Sequence, residues 1–308
     1  MDILFMGSAG FAVPSLGALA DSHHDILEVV TQPDKPAGRG MRLRACPAAQ
    51  HARERGLAVY QPPSVRKPDA IEHFRELSPE LIVVIAYGKI LPKDLLELPT
   101  RGCINVHASL LPKYRGAAPI NWAIAYGETE TGVTTMFINE DLDAGDMLLA
   151  AKTPIGPEET AQDLHDRLAR MGADLLMATI RELEEGALRP RPQDHSKATL
   201  APLIKKEDGH IDWSMSAIAI HNRMRAFTPW PGSFTTLRGK ALRVHAAEPR
   251  QLAHDQEPGT VLDREDHLCI ACGDGVLDLK EVQMEGGRRM KVADFLRGHK
   301  VPAGEALV

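Results

Sequence analysis

The chain lacks most of the features that mark the simpler classes of protein. It has four cysteines in 308 residues, too few to frame a disulfide-stapled fold. It has no excess of positive charge. The net charge of −6 argues against a nonspecific nucleic-acid binder but leaves local basic patches open. It has no long apolar run either. The longest, Leu81–Ala86, is far short of a bilayer span and excludes a helical membrane protein. The apolar start, MDILFMGSAGFAVPSL, has no basic leader and is broken by Gly7, Gly10 and Pro14. It reads as a first strand and turn rather than a signal peptide, so a cytoplasmic location is expected. What is present is 44% hydrophobic and 25% charged residues, the balance of a folded chain long enough for two domains. Cys269 and Cys272 form a C-x-x-C around Ile270 and Ala271, with no second pair to complete a metal site. They are expected as small core residues, and no metal is expected.

The first half alternates strand and helix patterns. Strands are expected over Asp2–Met6, Leu27–Thr31, Leu57–Tyr60, Glu80–Ala86, Gly102–His107 and Val133–Ile138, with helices between them. Such alternation implies right-handed crossovers and a mostly parallel sheet covered on both faces. A long amphipathic helix follows, opened by Thr160 and Asp163 as a capping box and stopped by Gly186. Leu164, Leu168, Met171, Leu175 and Leu183 fall roughly on one stripe of it. The stretch LRPRPQDHSKATLAPLIKK has three prolines, no helical period, and five Lys/Arg against one Asp. It reads as a stiffened basic linker. After it come one helix and the short strands SFTTL, ALRVHAAE, GTVLD, HLCIAC and VLDLKEVQ, spaced as in a small barrel. The expected division is 1–188, a linker over 189–207, and 208–308.

Ligands of open parallel sheets bind beyond the carboxyl ends of the strands. There, Asn105 and His107 alternate onto one face of their strand, and the loop SLLPKYRGAAPI follows at once. A second cluster, NEDLDAGDM, places Asp141, Asp143 and Asp146 after the next strand. It lacks the twelve-residue calcium pattern and could be a solvated turn. An amide and an imidazole can donate to a developing oxyanion, while a carboxylate orients the imidazole and accepts a proton. No serine or cysteine nucleophile is needed, so direct acyl transfer to an amine fits. GSAG after the first strand lacks the G-x-G-x-x-G spacing, and no nicotinamide cofactor is expected.

At these residues the chain resembles a known family. FMGSAGFAVPSL, TQPDKPAGRG, VVIAYGKILP, GCINVHASLLPKYRGAAPI, ETGVTTMFINEDLDAGDML and FTPWPGSFTTLRG together resemble the folate-dependent formyltransferases, over essentially the whole chain. TQPDKPAGRG and PWPGSF mark the members that act on initiator tRNA. The resemblance implies a Rossmann-like α/β domain, its mostly parallel sheet covered by helices on both faces, followed by a small OB-like β-barrel domain. It also implies 10-formyltetrahydrofolate as co-substrate and the amino group of initiator methionyl-tRNA as acceptor. Carried over by position, Asn105, His107 and Asp143 match the catalytic trio. Ser109, Leu110, Leu111 and Pro112 match the folate segment, with Tyr87, Ile90 and Leu91 as an apolar wall and Asp141 beside them. The loop carrying Lys35, Arg39, Arg42 and Arg44 would engage the tRNA acceptor arm, and Lys205 and Lys206 would extend that path. Nothing demands more than a monomer. The alternatives are a formyltransferase for a small amine, such as an aminosugar or glycinamide nucleotide, and a noncatalytic RNA-binding protein.

Overall fold

The computed structural model describes residues 1–37, 42–263 and 267–308. The chain forms two compact units. The first contains Met1–Pro119, Glu130–Thr153 and His165–Ala201, and the second Ile120–Thr129, Pro154–Leu164 and Pro202–Val308.

The first unit opens with β1 (Asp2–Gly7), α1 (Val13–Ala20) and β2 (Asp25–Val30). Next, β3 (Lys35–Ala37) and β4 (Arg42–Arg44) pair as a short antiparallel ladder. The basic segment expected as a loop is thus a ladder on either side of residues 38–41, which lie outside the described residues. Then come α2 (Pro47–Glu54), β5 (Val59–Tyr60), α3 (Pro68–Leu77) and β6 (Leu81–Ile85). They are followed by α4 (Lys93–Leu96), β7 (Cys103–His107) and β8 (Arg115–Gly116). After α5 (Pro119–Ala125), the strands β9 (Glu130–Phe137) and β10 (Met147–Pro154) lead to α6 (Ala161–Glu184) and β11 (Leu200–Ala201). Helices α1, α2 and α3 each carry proline in the first turn, where its missing N–H has no helical partner to lose.

Seven strands form one sheet in the order β10-β9-β7-β6-β1-β2-β5. The five from β7 to β5 are parallel, and β9 joins β7 antiparallel. All five residues of β6 are buried, as an apolar run at the sheet centre requires. The expected strand at Leu57 is only two residues long, and the edge strand β10 is absent from the sequence reading. Along β10 only Leu148 is buried, and exposed residues alternate with half-buried ones from Leu149 onward, so much of it reads as surface.

Helix α6 is capped as expected, with Asp163 N donating to Thr160 Oγ1 at 3.3 Å and Thr160 N donating to Asp163 Oδ2 at 3.1 Å. Its buried line differs from the expected stripe. Leu164 and Leu168 are fully buried as expected, but the line continues through Leu176 and Ile180, while Met171, Leu175 and Leu183 flank it half-buried. Gly172 sets this orientation. A Cβ there would come within 2.9 Å of Val106 on β7 and 3.6 Å of Val133 on β9, so the helix backbone lies on the sheet at that point.

In the second unit, α7 (Ala217–Ala226) precedes β12 (Ser233–Leu237), β13 (Lys240–Arg250) and β14 (Leu268–Ala271). It ends with β15 (Val276–Met284), β16 (Met290–Lys291) and α8 (Val292–Gly298). The antiparallel order is β12-β13-β15-β14, with β16 on β15. Isolated bridges complete the ring. Val261 meets Ile270 of β14, Thr260 meets Ala306, and Val308 exchanges backbone bonds of 2.7 and 3.0 Å with Thr236 of β12. The expected strand GTVLD therefore contributes only bridges, yet through it the edges of the sheet are paired. Leu237, Leu242, Val244, Ile270, Leu277 and Leu279 fill the interior together with Trp213 and Phe295. Cys272 is buried there, and burial pushes its thiol up to about 12, whereas Cys269 is buried on the other face of β14 beside His267 and Asp278. Residues 120–129 belong to this unit through Trp122, whose Nε1 donates to Pro202 O at 2.8 Å, and Asn121, which donates to Ala226 O at 2.7 Å. Among the described residues, no helix is long and apolar enough to cross a membrane.

Candidate active site

Strand β7 delivers Asn105 and His107 to the end of the sheet where the pairing turns antiparallel. Ile104 and Val106 are buried on the opposite face, so alternation fixes the direction of the two polar side chains. The His107 ring is 6% exposed. Its Nε2 lies 2.9 Å from Tyr114 O, a carbonyl that can only accept, so Nε2 carries a hydrogen. That leaves Nδ1 as the ring atom open to other partners, and it faces Asp143 Oδ2 at 3.7 Å. This is ion-pair distance, longer than a hydrogen bond. Asn105 is half-buried and makes no side-chain hydrogen bond among the described residues.

Asp143 sits in the nine-residue connection between β9 and β10, residues 138–146. The loop is folded tightly onto its own strand. Phe137 N donates to Asp146 O at 2.9 Å, and a Cβ on Gly145 would sit 1.9 Å from Phe137 O, so only glycine fits. Asp143 itself has φ +46°, an unusual conformation for a residue with a side chain. Its Oδ2 accepts the Gly116 N–H at 2.8 Å. The loop after β7 is pinned as well. Thr134 of β9 accepts from Leu111 N at 3.2 Å and donates to Ser109 O at 2.7 Å. Ser109 Oγ donates to Lys113 O at 2.6 Å. Thr199 Oγ1 accepts Tyr114 N at 2.8 Å, and Thr199 O accepts Arg115 N at 2.8 Å.

The structure therefore brings together Asn105, His107, Asp143 and the segment Ser109–Pro112, with Asp141 exposed on the same loop as Asp143. The segment after β6 is divided. Tyr87 and Leu91 belong to a core cluster with Leu4, Val30 and Phe74, whereas Ile90 is 69% exposed. Tyr87 is buried with no partner for its hydroxyl, and burial pushes its phenol up to about 12. The backbone of Lys35, Arg42 and Arg44 forms the β3–β4 ladder, while Arg39 lies outside the described residues. Lys205 and Lys206 are exposed in the second unit, where Asp208 accepts Lys205 N at 2.6 Å.

Two site residues escaped the sequence reading. Arg115 and Gln193 are 8% and 5% exposed, and Gln193 Oε1 accepts from Arg115 Nε at 3.1 Å and Nη2 at 2.6 Å. Gln193 comes from the stretch expected as a linker. That stretch is packed into the first unit through Ala201, with Arg191 paired to Met147 and β11 paired to β8. Its prolines and charges signal a connector, and no periodic pattern marks the side chain that turns inward.

Residues 1–180 match the formyl transferase family model, and residues 203–300 match the formyl transferase C-terminal domain. The chain belongs to the formyl transferase family. It is 50% identical over 308 residues, the full length of both chains, to the methionyl-tRNA formyltransferase of Caldanaerobacter subterraneus subsp. tengcongensis. It is also 50% identical over 307 residues, 100% of this chain and 98% of the relative, to the methionyl-tRNA formyltransferase of Solibacter usitatus. Among solved structures, the fold is similar to an N-formyltransferase from Helicobacter canadensis in complex with folinic acid and dTDP-3-aminofucose. That similarity has a TM-score of 0.68 at 18% identity, over 94% of this chain and 99% of that one. HypX from Aquifex aeolicus, solved with tetrahydrofolic acid, is similar with a TM-score of 0.59 at 19% identity, over 96% of this chain and 46% of that one.

Proposed function

We propose that this chain transfers the formyl group of 10-formyltetrahydrofolate to the free amino group of methionine on initiator tRNA. The observation that carries the reading is identity of 50% along the whole length of relatives bearing that name, with Asn105, His107 and Asp143 converging at one sheet end. The neutral amine attacks the formyl carbon, forming the new C–N bond. The carbonyl oxygen, becoming anionic, accepts hydrogen bonds from the Asn105 amide and from a protonated His107 Nδ1. Asp143 takes the amine proton on the carboxylate oxygen not bound to Gly116. Collapse of the adduct breaks the bond to the folate nitrogen, which leaves as tetrahydrofolate carrying the proton that Asp143 took from the amine, so the carboxylate is regenerated. The donors are held in place before the charge develops, which is where such interactions lower a barrier most.

The folate is assigned to Ser109, Leu110, Leu111, Pro112 and Asp141, with the segment carrying Tyr87, Ile90 and Leu91 beside them. Because the Tyr87 and Leu91 side chains face the core, that segment offers main-chain groups and Ile90. Lys35, Arg39, Arg42, Arg44, Lys205 and Lys206 are assigned to tRNA phosphates. Catalysis is assigned to residues 1–188 and tRNA binding chiefly to 208–308, working in the cytosol. The test is incubation with methionyl initiator tRNA and labelled 10-formyltetrahydrofolate, with an aminosugar nucleotide as competing acceptor. Label is expected on the tRNA. Label on the sugar alone would overturn the choice of acceptor.

A further inference from the structure

Gln193 is buried, and its side-chain amide donates twice into the loop that carries Asp143. The bonds run to Asp143 O at 2.9 Å and Gly145 O at 2.8 Å. Its oxygen is held in turn by Arg115, at 3.1 and 2.6 Å. The residue after Arg115 is Gly116, whose N–H holds the Asp143 carboxylate at 2.8 Å. The bonds therefore form a closed ring. The Asp143 backbone is tied to Arg115 through Gln193, and its carboxylate is tied to the neighbouring peptide. Asp143 also stands at φ +46°, where a residue with a Cβ gives up roughly 1–2 kcal/mol. Local preference does not keep the loop in that shape. External bonds must.

We infer that Gln193, seated by Arg115, is a positioning residue that fixes Asp143 opposite Nδ1 of His107. This deepens the formyl-transfer reading and rests on it for its assay. Gln193 is not assigned contact with either substrate. Its effect is to hold a carboxylate at the distance and angle that proton transfer needs. A misplacement of about 1 Å at such a site can cost on the order of 100-fold in rate.

The discriminating variant is Gln193→Glu. It keeps an oxygen for Arg115 and adds a charge to that pair, but replaces the donating NH2 with an oxygen that repels both loop carbonyls. The folded state is expected to survive with a melting midpoint somewhat below that of the parent, because the strengthened Arg115 pair offsets only part of the two lost bonds. kcat is expected to fall about 100-fold, while KM for the formyl donor moves less than about threefold. In an Asp143→Asn background, the same substitution should change kcat by less than about threefold, because its effect runs through Asp143. Gln193→Asn, neutral and one methylene shorter, provides the same readings should the glutamate disturb folding. A kcat within about threefold of the parent in Gln193→Glu overturns the inference, as does an undiminished loss in the Asp143→Asn background. If the parent formylates an aminosugar nucleotide in place of tRNA, the acceptor reading fails and the same variants are compared on that acceptor. If the parent formylates tRNA and Gln193→Glu is unimpaired, the positioning role fails alone.

Discussion

Two of the aspartate–histidine pairs among the described residues, one in each unit, are built in opposite ways. In the barrel, Asp278 is fully buried and saturated. His267 Nδ1 lies 3.1 and 3.3 Å from its two oxygens, Lys280 Nζ is at 2.8 Å, and Arg250 pairs with it as well. Burial alone would raise its carboxyl, but the bonds from Lys280 and His267, with the Lys280 and Arg250 charges, hold it below the usual carboxylate range. At the sheet end, Asp143 has one backbone donor, and His107 stands off at 3.7 Å. The contrast shows how to tell two uses of one pair of residue types. The carboxylate surrounded by partners has nothing left to offer a substrate. The one kept just beyond hydrogen-bond reach of its imidazole retains an open oxygen and faces an open ring nitrogen.

The largest expected effect comes from breaking the open pair. Asp143→Asn keeps the size, removes the proton acceptor, and should lower kcat about 1,000-fold with little change in unfolding free energy. Single-turnover formylation and urea denaturation, run side by side, check both halves. Asn105→Ala removes a neutral donor and should raise the barrier by about 3 kcal/mol while folate affinity holds. Near-normal turnover at saturating substrates would remove Asn105 from the oxyanion site.

The closed pair should give the mirror image. Asp278→Asn leaves Arg250 and Lys280 with only the exposed Glu248 as an ion partner and should cost about 2 kcal/mol of stability at pH 7, with kcat unchanged. Because the folded-state value of Asp278 is depressed, its contribution is present above about pH 4, the unfolded-chain value, and fades as pH falls through the folded one. The stability gap between parent and variant should therefore close on acidification below about pH 4, as urea midpoints from pH 7 to pH 3 would record. The smallest effect belongs to neither pair. Arg39→Gln with Arg42→Gln should weaken tRNA binding and flatten the slope of affinity against salt by about two, leaving activity on saturating tRNA intact. An unchanged slope would take this segment out of the tRNA contact.

Much of this arrangement was legible in the sequence wherever a local pattern dictates it. Alternation alone placed Asn105 and His107 on one face, LIVVIA announced the central strand, and Thr160 with Asp163 marked the start of the long helix. The expectation that both loops leave the same end of the sheet fails. Strand β9 runs antiparallel to β7, with Phe137 beside Ile104 and Thr134 beside His107, so the 138–146 loop leaves at the opposite end and brings Asp143 back to His107. What could not be read depends on long-range pairing with no period of its own. Gln193 lies between prolines in a segment that looks like a tether, and its burial depends on the distant carbonyls of Asp143 and Gly145. The expected stripe of α6 holds at Leu164 and Leu168, both fully buried, and departs by one helical position from Met171 onward because Gly172, lacking a side chain, leaves no hydrophobic mark where the backbone comes closest to the sheet. The closure of the barrel by Val261, Thr260 and Val308 uses single bridges, which leave too short a trace for any alternation to reveal.

The second unit is assembled from three separated stretches of chain, one of them containing Trp122 and another Glu158 and Glu159. Arg225 from the last stretch reaches Gly156 O at 3.0 Å and Glu159 O at 2.8 Å in the middle one. Proteolysis at a single bond between the two family regions would therefore not liberate an intact half. A fragment beginning near residue 203 would leave behind the Trp122 ring and the carbonyls that Arg225 grips, and a fragment ending near 180 would carry them away unpaired. Nicked but otherwise undenatured protein should migrate as one species until unfolded.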